Sequence, residues 1–340
     1  MPNHPLLSWP ATLSLASTIL LLVGGCGTGA DENEDTAAET RTVSAVNGQV
    51  EVPSNPTDIA VLWRPTLAAA AQLGHTPTAS LGDPGAEDSA LSAFLPDEAE
   101  VSPADITIVS NSLAEEDINL EELATTEPDL IIGVHTDNAT QAELEEELTA
   151  IAPTVLLEWA GTESWRDHLT DVAEVVDAED EATTVAADYE DAVAEARDAV
   201  EETVGDPAET EVSLVRLQSE SEIRFETPAA FSGQIMADVG FTRPEAQLDE
   251  HAQDGADFVS ESYENLDDGD GDLVFVVASG DHTDAPDEFG GEVWSSLDAV
   301  AEEQIFAMDF DYWGAASYPA AHRVLDDLTD AVTGEIEPAV

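Results

Sequence analysis

Lysine is absent from all 340 residues, and the only fixed cations are eight arginines set against 75 aspartates and glutamates. Without an amine side chain, Schiff-base catalysis and a phosphate-cradling Gly-x-x-x-x-Gly-Lys loop are both excluded. The formal charge of −67 repels the phosphates of nucleic acid and removes that partner. Cysteine is nearly missing too: Cys26 stands alone, so no intramolecular disulfide can form. Neither a Gly-x-Ser-x-Gly nucleophile elbow nor a His-Glu-x-x-His zinc motif occurs. The seven histidines do not cluster in the sequence, as a direct metal-ion receptor would require. The apolar run over residues 9–23 is too short, and too interrupted by Ser, Thr and Pro, to read as a membrane span.

That run ends in Val23-Gly24-Gly25-Cys26, which is similar to the lipobox of bacterial lipoproteins, where the cysteine becomes the lipidated first residue. Residues 1–25 therefore read as a signal peptide and Cys26 as the lipid attachment point, the alternative being an inert buried thiol. Residues 1–8 depart from an ordinary export signal by lacking Lys and Arg. Two acyl chains, at ~0.8 kcal/mol per buried methylene, would hold the protein on the extracytoplasmic face of the cell membrane. Residues 26–41, acidic and rich in Gly, Ala and Thr, read as a disordered tether. Self-repulsion among so many carboxylates strains a compact fold in dilute buffer. At 1 M salt the Debye length falls to ~3 Å, so the composition points to a halophilic setting. General disorder is excluded because 43% of residues are hydrophobic and fall in periodic blocks.

The blocks alternate. A hairpin over residues 42–52 turns at Asn47-Gly48, and Pro53-Ser54-Asn55-Pro56 leads into a strand at 59–62. Pro65 opens a helix closed by Gly74, and strands follow at 107–109, 130–132 and 154–157 with helices at 120–126 and 140–150 between them. Residues 164–204 hold no strand. Val185, Tyr189, Val193, Ala196, Val200 and Val204 make one apolar face of a helix over 180–204, which Gly205 and Pro207 end. That helix is about 37 Å long at 1.5 Å per residue, a stiff connector between two lobes; a weak coiled coil is the alternative. A second alternating block has strands at 212–217, 222–225, 272–277 and 304–308 and helices at 230–239 and 315–333. The fold class is α/β, with an N-terminal lobe (42–178), a connecting helix (179–205) and a C-terminal lobe (206–340).

Several motifs together resemble the iron-siderophore binding lipoproteins of ABC importers, a class that also binds cobalamin and haem. They are Pro53-Ser54-Asn55-Pro56-Thr57-Asp58, Asn119-Leu120-Glu121-Glu122-Leu123, Glu127-Pro128-Asp129-Leu130, Phe231-Ser232-Gly233, Gly240-Phe241-Thr242-Arg243-Pro244 and Val293-Trp294-Ser295-Ser296-Leu297. The resemblance implies two Rossmann-like lobes joined by one rigid helix, with the ligand in the cleft between them. It implies a monomeric binding protein that is no enzyme and holds no cofactor, iron arriving only inside a ferric siderophore. It also implies an ABC permease as partner. Haem or cobalamin is the alternative ligand, and a secreted lipoprotein hydrolase the alternative from another class.

A ferric chelate asks for aromatic faces and fixed cations, and in an open α/β sheet these belong on loops beyond the carboxyl ends of strands. Trp63 and Arg64 fall there after the first strand, unless Trp63 packs in the core and Arg64 pairs with a surface acid. Arginine suits the task because its planar fork meets carboxylate or hydroxamate oxygens in pairs. The resemblance implies a ligand-facing arginine at Arg224; Arg216, one strand earlier, either joins it or pairs with a neighbouring carboxylate. It also implies an aromatic before the last helix, at Tyr312 or Trp313, with a core role as the alternative. His135 and His282 follow strands and either look into the cleft or are solvated, whereas Trp294 packs beneath the second lobe. Glu121 and Glu264 match acids that dock on the permease in this family, although a carboxylate in a first helical turn is also favoured by the helix dipole. Asp268-Gly269-Asp270-Gly271-Asp272 is similar to a calcium loop, but Leu273 and Ser279 stand where Gly and Glu are needed, so it reads as an acidic turn.

Overall fold

The structure is a computed structural model that describes residues 39–82, 90–96, 103–111, 117–136, 141–219, 221–253, 255–278, 291 and 293–340. The expected signal peptide, Cys26, most of the tether and His282 lie outside the described residues. Strands β1 (Thr40–Ala45) and β2 (Gly48–Pro53) pair antiparallel. Gly48 takes φ +106°, a conformation that favours glycine and so explains the Asn-Gly signal. The Asn47 side chain then bonds across to the backbone of Thr154 and Leu156, at 3.0 Å each.

Five parallel strands form the N-terminal sheet: β3 (Ile59–Val61), β4 (Ala79–Leu81), β5 (Thr107–Ser110), β6 (Leu130–His135) and β7 (Thr154–Glu158). Their order is β5-β4-β3-β6-β7. Residues 130–134 are buried on both faces, as a covered parallel sheet demands. Helices α1 (Arg64–Gln72), α2 (Leu120–Thr125), α3 (Glu145–Thr149) and α4 (Trp165–Val176) accompany it.

The C-terminal sheet has the order β10-β9-β8-β11-β12, formed by β8 (Val212–Ser219), β9 (Glu222–Glu226), β10 (Phe258–Glu261), β11 (Leu273–Ala278) and β12 (Ile305–Met308). Here β8, β11 and β12 run parallel, while β9 is antiparallel to both β8 and β10. Between the lobes runs α5 (Glu179–Val204), 26 residues long and about 39 Å at 1.5 Å per residue. It packs on α4 and on two helices of the second lobe, α6 (Phe231–Val239) and, beyond the short α7 (Asp298–Ala301) and α8 (Phe310–Trp313), α9 (Tyr318–Thr333).

Within α5 the residues that bury are Ala182, Tyr189, Ala196 and Val200; Val185 and Val193 are half-buried and Val204 is 42% exposed. The apolar face of the connector is therefore shorter than its periodicity suggests. Arg166 on α4 bonds to Gln234 and Asp238 of α6, and the Tyr189 hydroxyl donates to the same Asp238 at 2.7 Å. Arg197 donates to the carbonyls of Asp238 and Val239, capping the C-terminal end of α6 with a cation. The last helix starts at Tyr318 rather than at 315. Ser317 caps it by accepting from the Ala320 N–H, and Pro319 occupies its first turn.

Candidate ligand-binding site

The C-terminal sheet changes direction of construction at β8 and β11, so the loops beyond their carboxyl ends open a crevice. β9 folds back on β8 and sets Arg224 directly opposite Arg216. Each arginine lies between buried apolar neighbours: Val215 and Leu217 on one strand, Ile223 and Phe225 on the other. Period-two alternation sends those four to one face and both guanidinium groups to the other. Glu226, two residues past Arg224, shares the arginine face. Like charges opposite each other on adjacent strands are destabilising. An anion between them would relieve that repulsion.

The arginine face lines a cavity of about 130 Å³ walled by Glu226, Asp257, Phe258, Phe310 and Trp313, with Thr162 reaching it from the N-terminal lobe. The Arg216 guanidinium stands 4.2 Å from the Phe310 ring centroid and that of Arg224 3.9 Å from Phe258, both within cation–π range. Arg216 Nη1 is 3.6 Å from Glu226 Oε1, and Arg224 Nε is 3.8 Å from Glu222 Oε1. Both separations exceed a hydrogen bond. Arg224 Nε and Glu226 Oε1 are buried with no hydrogen-bond partner. Burial is the largest influence on both charges. It lowers the pKa of Arg216, and it raises that of Glu226 to about 7, with Arg216 and Arg224 opposing the rise and Asp257 adding to it.

Behind this wall the backbone is fixed by specific side chains. Trp313 is 3% exposed, stacks on Phe275 at 5.1 Å and donates its indole N–H to Asp327 at 2.9 Å. It is a core aromatic that also lines the cavity. The Ser232 hydroxyl donates to the Trp313 carbonyl at 2.6 Å. A Cβ on Gly233 would lie 2.0 Å from the Thr227 carbonyl oxygen, so the close approach of α6 requires glycine. No side chain caps the start of α6, and its first turn lines the cavity, adding the positive end of its dipole to the two arginines. Thr162 donates its hydroxyl to Asp257, a bond between the lobes.

The other candidates lie outside this lining. Trp63 is half-buried and edge-on to Trp159 at 5.8 Å, its indole nitrogen buried without a hydrogen bond. Arg64 stands 5.3 Å from the Phe94 ring. Tyr312 lies beneath Arg323 at 5.6 Å and borders a separate groove with Asp188, His322 and Asp326. His135 ends β6 beside Glu158 in register. Glu121 is exposed in the first turn of α2, which Asn119 caps, and Glu264 is exposed in the 3-10 segment Tyr263–Gly269. Trp294 is buried in the second lobe. The acidic turn works internally: Asp270 accepts from the Asp298 and Ala299 N–H groups, and Asp272 from that of Glu211. Among the described residues, no group of three or more His, Cys, Asp or Glu is arranged to hold a metal ion.

Phe258, Phe310, Asp257 and Thr162 carry no sequence signal that marks them as cavity residues. Glu226 does carry one: it continues the polar phase of Arg224-Phe225-Glu226 and so had to share the arginine face.

Comparison with known proteins gives a consistent result. Residues 72–312 match the family described as periplasmic binding protein. The probable siderophore-binding lipoprotein YfiY of Bacillus subtilis is 30% identical over 330 residues, which cover 92% of this chain and 94% of that one. The Fe(3+)-citrate-binding protein YfmC of the same organism is 24% identical over 309 residues, 89% and 90% of the two chains. In fold, the crystal structure of Staphylococcus aureus SirA complexed with staphyloferrin B aligns with a TM-score of 0.69 at 22% identity, covering 86% of this chain and 99% of that one. Two five-stranded lobes on one connecting helix, a cavity at the sheet's switch point and a match across most of the sequence have one meaning: this chain belongs to the periplasmic binding protein family.

Proposed function

We propose that this protein captures a ferric siderophore outside the cytoplasmic membrane and hands it to an ABC permease. The observation that carries the reading is the pair Arg216 and Arg224, set opposite each other in a cavity walled by Phe258, Phe310 and Trp313. In a chain with eight cations, placing two of them face to face at a sheet's switch point makes sense as anion capture. The printed functions of the two relatives, siderophore binding and Fe(3+)-citrate binding, support the same ligand class. Iron is cargo here, already wrapped in chelating oxygens, and needs no ligand from the protein.

Trp63, Arg64 and His135, at or just past the carboxyl ends of β3 and β6, form the opposing half of the site in this reading, with Tyr312 at its margin. Cys26 carries the lipid, residues 26–41 give reach, and the lobes divide at 178/179 and 205/206. Glu121 and Glu264, both exposed on the first turns of their segments, dock on basic residues of the permease. The protein works as a monomer in a saline medium, where screening permits its charge.

A titration of tryptophan fluorescence in 2 M NaCl tests this. Ferric citrate, ferric enterobactin and a ferric hydroxamate are compared with haem, cobalamin and free ferric ion. Saturable quenching by at least one ferric chelate is expected. Quenching by haem or cobalamin alone, or by none, would reject it.

A further inference from the structure

The cavity contains its own anion. Glu226 lies on the same face as the two arginines, with its carboxyl buried, Oε1 lacking any hydrogen bond and 3.6 Å from Arg216. Such a group is costly to bury. A purely structural acid would be expected to take hydrogen bonds from its neighbours, as Asp270 and Asp327 do. Resting on the reading of the site given above, we propose that Glu226 is the resident counter-ion of the cavity. An anionic ferric chelate displaces it from Arg216 while the Glu226 carboxylate takes a proton from solvent. Glu226 thereby determines which ligand charge the site accepts.

The charged groups around Glu226 define the balance. Arg216 faces it from β8 and Arg224 from its own strand, Asp257 from the segment before β10, and Arg243 from behind, where its guanidinium donates to the Glu226 carbonyl at 2.5 Å. Asp249 bears on Arg243 from the far side. In the empty cavity the two arginines favour the carboxylate, and burial together with Asp257 favours the acid. Burial outweighs the arginines and raises the Glu226 pKa to about 7, so the group is poised near neutral pH. An anion seated on Arg216 and Arg224 removes the attraction and adds repulsion. Both changes favour the protonated carboxyl, so above neutral pH each binding event consumes one proton. A neutral chelate leaves the Arg216–Glu226 pair intact and takes up none.

The test is calorimetric titration of the full chain in 2 M NaCl, repeated in buffers of different ionisation enthalpy. Ferric citrate and ferric enterobactin serve as anionic probes and ferrichrome as the neutral one. For the wild type, uptake approaching one proton per anionic chelate is expected at pH 8, with affinity rising roughly tenfold between pH 8.5 and 6.5. Glu226→Gln should take up fewer protons, bind the anionic probes more tightly at pH 8.5 and lose most of that pH slope. Chelate speciation is common to both proteins and cancels in the comparison. Matched melting curves establish that the variant is folded; if Glu226→Gln fails to fold, Glu226→Ala is used with the same criteria. Equal proton uptake and equal pH slopes in the two proteins would overturn the proposal while leaving chelate binding intact. Failure of every ferric chelate to bind the wild type would overturn the functional reading, and this inference with it.

Discussion

Arg243 and the pair Arg216 and Arg224 stand on two sides of Glu226, and their surroundings differ in kind. Arg243 is 8% exposed and ends on neutral oxygens: the Glu226 carbonyl at 2.5 Å and Gln247 Oε1 at 2.6 Å. Gln247 in turn accepts from the Leu214 N–H and donates to Ser213, so this arginine ties β8, β9 and the following loop together. Arg216 and Arg224 instead lie against aromatic rings, with carboxylates 3.6 and 3.8 Å away. Arg243 is tied to the fold by short bonds from both terminal nitrogens, one of them to the Met236 sulfur. Arg216 and Arg224 each lie over a ring face and line the cavity. Burial alone does not separate an arginine bonded into the fold from one that lines a cavity; the kind of partner does.

The sharpest way to break that contrast is to remove each cation in turn. Arg243→Ala takes the guanidinium donor from the Glu226 carbonyl and one of two donors from the Gln247 amide oxygen, and should cost about 3 kcal/mol of stability, read by chemical denaturation in 2 M NaCl. Arg224→Ala should leave stability near that of the wild type, because it also removes a like-charge cross-strand pair. It should weaken an anionic ferric chelate by about 2 kcal/mol, roughly 30-fold, in a fluorescence titration. The contrast fails if Arg224→Ala unfolds the protein and Arg243→Ala spares it. Trp313→Phe sharpens the same point on a smaller scale. It keeps the ring on Phe275 but removes the hydrogen bond to Asp327, at about 1 kcal/mol of stability.

The smallest expected effect is in the pH dependence of folding, where two buried groups act with opposite sign. Glu226 has its folded-state pKa raised to about 7 by burial, so the folded state binds the proton first and stability rises as pH falls from about 7 toward 4.5. His168, whose Nε2 lies 2.8 Å from the Thr66 hydroxyl, is pushed down to about 3 by burial. It must stay neutral, so stability falls as pH drops below 6.5 toward 3. Melting temperatures should therefore rise slightly between pH 8 and 6.5 and then level off or fall. Glu226→Gln should abolish the rise and His168→Gln should soften the fall; unchanged profiles would show that neither group titrates as described.

Most of the fold is legible in the sequence because its signals are local. The long connector declares itself by spacing and by Gly205 and Pro207, and α5 ends one residue before that glycine. The Val-Arg-Leu and Ile-Arg-Phe alternations likewise put both arginines on one strand face. Two strands leave little trace: β4 has only three residues, and β10 is a four-residue edge strand in which no residue is fully buried. Phe258, which stands against Arg224, comes from that edge strand, so the cavity's aromatic wall could not be read from periodicity. The start of the last helix was also carried by local chemistry, the Ser317 cap and Pro319, against a continuous apolar pattern that runs further back. What the sequence hides in general here is which of several polar residues converge, since Glu226 and Asp257 meet through the pairing of β9 with β10 and Thr162 joins them only through the packing of two lobes.

In the function proposed above, a ferric chelate sits on Arg216 and Arg224. Crystals soaked with ferric citrate and measured at the iron absorption edge test it directly. An anomalous iron peak is expected in the cavity bordered by Arg216, Arg224, Phe258 and Trp313, absent from crystals of the Arg216→Ala, Arg224→Ala double variant. An iron peak elsewhere on the wild-type protein, or one that persists in the cavity of the double variant, would contradict it.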